Sequence, residues 1–112
     1  MAPRINPLGL NKLQLKTLLL FQAVAREEDM AQPEGEGVRV TNLPDAHGDH
    51  FHLGRAVVRA ADATGLTNAA VWTALARKGL IEGSYPDSLL LTKAGLDYDT
   101  ASAGPILHHA DH

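Results

Sequence analysis

RAVVRAADATGLTNAAVWTALARKGLI, residues 55–81, is the stretch whose reading decides the fold. Its apolar positions recur at helical spacing on both sides of Gly65, which predicts two helical segments, about 54–63 and 68–78. Gly65 sits where such a pair must turn sharply, a place where a positive φ favours glycine. Ala61, four residues earlier, is small enough for a close crossing. Leu66 and Val71 face inward, and Leu75 continues their stripe one turn on. Thr67 or Asn68 is placed to cap the second segment.

Outward from this stretch the punctuation continues. Leu80–Ile81 begin an extended piece, EGSYPDS turns, LLL at 89–91 returns, and Thr92 opens a last helix over TKAGLDYDTA. On the N-terminal side, Asn11 can cap a helix whose Gln14 reaches back to the cap's own N–H, while Leu10 and Leu15 can pack as a staple. That helix runs to about residue 28, where MAQPEGEG ends it. VRVTNL at 38–43 alternates like a half-buried strand, as does HFHLG at 50–54, which predicts a hairpin or two short extended arms.

The chain has 112 residues, room for one domain. Residues 1–10 read as an irregular arm, 11–103 as the single domain, and 104–112 as a flexible, histidine-rich tail. Aromatics are 4% and cysteines are absent, so the core is built from Leu, Val and Ala, without disulfide, thiolate metal site or cysteine nucleophile. The expected class is mainly α with a small β component. MAPRINPLGLNKLQL lacks a signal-peptide pattern, and the most apolar run, 18–24, is interrupted by Gln22 and too short for a span. A cytoplasmic protein with no membrane association is expected.

Net charge is −3, unsuited to a general polyanion binder, but its distribution is uneven. Residues 27–37 carry five acids and no base. Residues 54–81 carry Arg55, Arg59, Arg77 and Lys78 against Asp62 alone, a basic segment in the middle of the chain.

Taken together, ATGLTNAAVWTALARKGLIE followed by LLLTKAG resembles the winged helix-turn-helix family of DNA-binding domains, with the helix at 11–28 as its leading helix. The resemblance implies a short β-hairpin wing after the second helix and a threonine, here Thr92, capping the closing helix. It implies that helix 68–78 enters the major groove of double-stranded DNA, as in a small transcriptional regulator. Asn68, Ala69, Thr73 and Arg77 would face the bases; Asn suits adenine edges and Arg guanine. Thr67 at the helix N-terminus would hold a phosphate, and Arg55 and Arg59 on the preceding helix would contact the backbone. The wing sequence, with two acids and no base, is a poor phosphate contact, so a protein-interaction module without DNA binding is the alternative. Trp72 is read as covering the core edge or a partner rather than touching a base.

Apolar residues surround more of helix 11–28 than one core-facing stripe requires: Leu13, Leu15, Leu18–Leu20, Phe21 and Ala23–Ala25. A homodimer through this helix is the expectation, with a helix covered on both sides inside one domain as the other reading.

PDAHGDHFHLG, residues 44–54, gathers three histidines and two aspartates. Part of it resembles the metallo-β-lactamase signature, but Asp45 stands where that pattern has its first histidine, and the fold needs a much longer chain. His50 and His52 share one strand face, and His47 or Asp49 could close a divalent metal site with them. Exposed histidines on a connector are the preferred reading, with proton sensing a further one. No nucleophile elbow, carboxylate pair or phosphate-binding loop is present, so no enzymatic activity and no organic cofactor are expected.

Overall fold

The computed structural model describes residues 6–44 and 48–109. Its elements are α1 (Lys12–Val24), a hairpin β1 (Ala31–Glu34) and β2 (Gly37–Val40), and a second hairpin β3 (His50–Leu53) and β4 (Ala56–Arg59). Two 3₁₀ turns, Ala60–Asp62 and Thr64–Thr67, lead into α2 (Ala69–Arg77). A third hairpin, β5 (Ile81–Ser84) and β6 (Ser88–Leu91), precedes α3 (Lys93–Asp97), a 3₁₀ turn at Ala101–Ala103 and the two-residue β7 (His108–His109). One sheet has the order β1-β2-β6-β5 and the other β3-β4-β7, and every pairing is antiparallel.

The described residues are therefore 37% helical and 25% strand, which corrects the expectation of a mainly α winged helix-turn-helix. The helix expected over 54–63 does not form. Ala56–Arg59 is strand β4, pairing Val57 with His52 and Val58 with Phe51. Two adjacent β-branched valines favour that pleat once a partner strand is supplied. Gly65 is buried in a 3₁₀ turn without a positive φ, so no two-helix corner exists there. The expected pairing of 38–43 with 50–54 is likewise replaced: β2 pairs with β6, Val38 opposite Leu91, and β3 with β4.

Local signals held where their partners are adjacent. Asn11 Oδ1 accepts from Gln14 N at 2.8 Å, and Gln14 Oε1 accepts from Asn11 N at 3.0 Å, completing the capping box. Asn68 Oδ1 accepts from the amides of Ala70 and Val71 and caps α2. That helix ends on Gly79 at φ +76°, with Leu80 N donating to Leu75 O and Gly79 N to Ala76 O. This is a Schellman closure, which residues with a Cβ resist. Thr92 Oγ1 accepts from Gly95 N at the start of α3.

The core is organised around α1. Leu18, Leu20, Phe21 and Val24 are fully buried, each worth about 1.5–3 kcal/mol of apolar burial. Leu13, Leu19, Ala23 and Ala25 pack partly buried against the same core. The 3₁₀ turns at 64–67 and 101–103, α2 and α3 all contact the helix. Much of its broad apolar circumference is thus packed within the monomer, with Leu13, Leu19, Ala23 and Ala25 left half-buried. Gln22 is equally internal: its Nε2 donates to Gly95 O and Tyr98 O, both at 2.8 Å, and its Oε1 accepts from Thr100 Oγ1. Part of the segment expected to be a flexible tail packs on the domain. Ile106 is buried in the core, and β7 extends the second sheet.

Candidate interaction face

The outward side of α2 carries Ala69, Ala70, Thr73, Ala76 and Arg77, all exposed. Four residues separate Ala69 from Thr73 and Thr73 from Arg77, which puts the three on one face. The hydroxyl of Thr73 donates to Ala69 O at 3.0 Å. Asn68 is occupied as a cap, so its side chain serves the helix rather than an outside partner. Thr67 is exposed, and its carbonyl accepts from Tyr85 Oη at 2.9 Å.

Beside this face the β5–β6 hairpin folds back onto α2. Trp72, 4% exposed, meets Phe21 edge-to-face at 5.6 Å and Tyr85 edge-to-face at 5.0 Å. Its indole N–H donates to Leu66 O at 3.2 Å. Trp72 therefore seals the core edge, as its sequence context predicts. Between helix and hairpin runs a groove of about 340 Å³ lined by Trp72, Ala76, Arg77, Ile81 and Tyr85. β5 is an outer strand of its sheet. Charge on the hairpin comes from exposed Glu82 and Asp87, so Arg77 is the single cation lining the groove.

Arg55 and Arg59, expected on a helix beside α2, stand at opposite ends of β4 instead. Arg55, in the β3–β4 turn, lines a cleft with Arg26 at the end of α1. Arg59 lines another with Lys12, Lys16 and Asp62. Neither cleft includes a residue of α2, so the expected phosphate contacts do not converge with the expected base-reading residues.

The histidine stretch divides as the alternation predicts: Phe51 and Leu53 are buried, His50 and His52 exposed. His50 Nδ1 lies 3.0 Å from Asp49 Oδ1, and the His50 and His52 rings meet edge-to-face at 5.8 Å. The hydrogen bond with His50, followed by one to its own backbone amide, holds the Asp49 carboxyl below the usual aspartate range. His47 lies outside the described residues. Among those described, no three metal-binding side chains come together.

Comparisons of the chain with protein-family models, curated proteins and solved structures find no match. No described helix is long and apolar enough to cross a membrane.

The sequence reading missed Ile81 and Tyr85 as groove residues, and it missed Arg26, Leu107 and His108 as neighbours of Arg55. Tyr85 had one usable signal, an aromatic at a polar hairpin tip. The others carry no local mark, because their neighbours come from distant segments.

Proposed function

We propose that this is a protein-interaction domain whose α2–β5 groove takes a peptide segment of a partner. The observation that carries the reading is the makeup of that groove: Trp72, Tyr85 and Ile81 as apolar walls, the small residues Thr73, Ala76 and Gly83, and one guanidinium. Interface cores are depleted in charge and enriched in aromatics, and small side chains let a partner backbone approach closely. An outer strand can also accept a further extended strand through its unpaired backbone groups. The matching segment would set an apolar side chain against Trp72 and Ile81, with a nearby carboxylate to pair with Arg77.

Reading the major groove of DNA is the second proposal. Its support is that Ala69, Thr73 and Arg77 share the exposed side of α2. Against it stand the two acids on the adjoining hairpin and the placement of Arg55 and Arg59 in clefts that include no residue of α2, since duplex binding rests on several convergent phosphate contacts.

Two measurements separate the readings. Peptides selected from a random display library against the whole chain should shift the amide resonances of 69–85, and Ala76→Arg should abolish binding without altering the melting temperature. A labelled random-sequence duplex should show no binding at low salt. Duplex binding with a salt slope of several charges, lost in Arg77→Gln, would replace the first reading with the second.

A further inference from the structure

The cleft where Arg55 meets the end of α1 lies apart from the α2 groove, and its composition is unusual for a chain of net negative charge. It is an open cleft of about 380 Å³, within the range of about 300–1,000 Å³ common for small-ligand sites. Three distant segments build it: Arg26 and Glu27 after α1, Leu53 and Arg55 at the β3–β4 turn, and Leu107 with His108 at β7.

Its polar groups are left over by the fold. Among the described residues, neither Arg26, Arg55 nor Glu27 has an ion-pair partner within 4.0 Å. Glu27 is the one acidic residue lining the cleft. His108 Nε2 is buried with no hydrogen-bond partner, the one such side-chain atom among the described residues. Leu107, one of the few large apolar side chains left exposed among the described residues, lines the cleft together with Leu53.

Two guanidiniums, one carboxylate and an apolar wall describe the complement of a small zwitterion. We infer that this cleft binds an apolar α-amino acid. The ligand carboxylate lies against Arg26 and Arg55, its ammonium against Glu27, and its side chain against Leu53 and Leu107. A simple organic anion would leave Glu27 repelling it, and an amine would leave both arginines unanswered.

Calorimetric titration of the full chain with L-leucine, L-methionine and L-phenylalanine tests this. L-Leucine is then compared with 4-methylpentanoate, which lacks the ammonium, and 3-methylbutylamine, which lacks the carboxylate. At least one amino acid should bind at millimolar concentration or tighter and raise the melting temperature, with both analogues at least tenfold weaker. Arg55→Gln and Arg26→Gln should each weaken the amino acid at least fivefold. Glu27→Gln should weaken the amino acid yet strengthen 4-methylpentanoate, an inversion that altered packing would not produce. These three side chains lie outside the core, and an unchanged melting temperature without ligand verifies that each variant folds. The inference is overturned if no amino acid binds up to 10 mM, if 4-methylpentanoate binds as tightly as leucine, or if the variants leave binding unchanged.

Discussion

Gly65 is buried directly against Thr17 of α1, so closely that a Cβ on the glycine would collide with the threonine hydroxyl. Thr17 cannot easily yield. It is fully buried, β-branched, and its Oγ1 donates to Leu13 O at 2.8 Å. The glycine's role is close approach of the 64–67 turn to α1, and backbone handedness plays no part.

Gly65→Ala should accordingly destabilise the chain by about 1–3 kcal/mol, as overpacking of a tight interior does. Thr17→Ala in that background should recover part of the loss, because it removes the colliding oxygen. A double-mutant cycle by urea denaturation measures the coupling. Additive effects would mean that the two residues do not meet.

Gln22 holds three polar groups from the α3 region at once. Gln22→Leu preserves apolar volume but strands the carbonyls of Gly95 and Tyr98 and the hydroxyl of Thr100. A loss of about 1–3 kcal/mol is expected. Amide hydrogen exchange should quicken most over 93–103, which distinguishes local release from general weakening.

Tyr85 joins the hairpin tip to α2 by two separable contacts. Tyr85→Phe keeps the ring against Trp72 and removes the hydrogen bond to Thr67 O, for a cost of about 0.5–1.5 kcal/mol. Trp72 is the only tryptophan, so its emission reports directly on this contact. It should change little in Tyr85→Phe and clearly in Tyr85→Ala.

Arg39 grips Glu34 with two nitrogens, Nη2 to Oε2 at 2.7 Å and Nε to Oε1 at 3.3 Å, and donates to Ser88 Oγ from Nη1. Hydrogen bonding from Arg39, reinforced by its charge, holds Glu34 below the usual glutamate range. Because the folded value is the depressed one, the associated stability is fully present above the unfolded glutamate value of about pH 4.3. It is lost as pH falls through the lower folded value. Carbon-detected NMR titration should show Glu34 titrating below a free glutamate, and Arg39→Gln should return it to the ordinary range. The pair is exposed, so the contribution is small and screened by salt.

Legibility of the fold followed the range of the interactions involved. The caps at Asn11, Asn68 and Thr92 and the alternation of HFHL could all be read, because the groups involved lie within a few residues of one another. AVVR at 56–59 could not. Its spacing fits a helix as well as a strand, and only pairing with HFHL on one side and β7 on the other selects the pleat. The broad apolar girth of α1 was visible, but whether a second molecule or the same chain covered it was not.

The site divided in the same way. That Thr73 and Arg77 share a side of α2 follows from helical period alone. Arg26, Arg55 and His108 line one cleft only because the β3–β4 hairpin and the C-terminal strand close on the end of α1.

The linear order of residues was enough to place the caps, the turns, the amphipathic α2 and the uneven charge, since each is governed by neighbours along the chain. Which strands lie side by side, what encloses α1, and which charges share a cleft were settled by folding. Those outcomes come from burial and backbone pairing between remote segments, whose free energy no local pattern encodes.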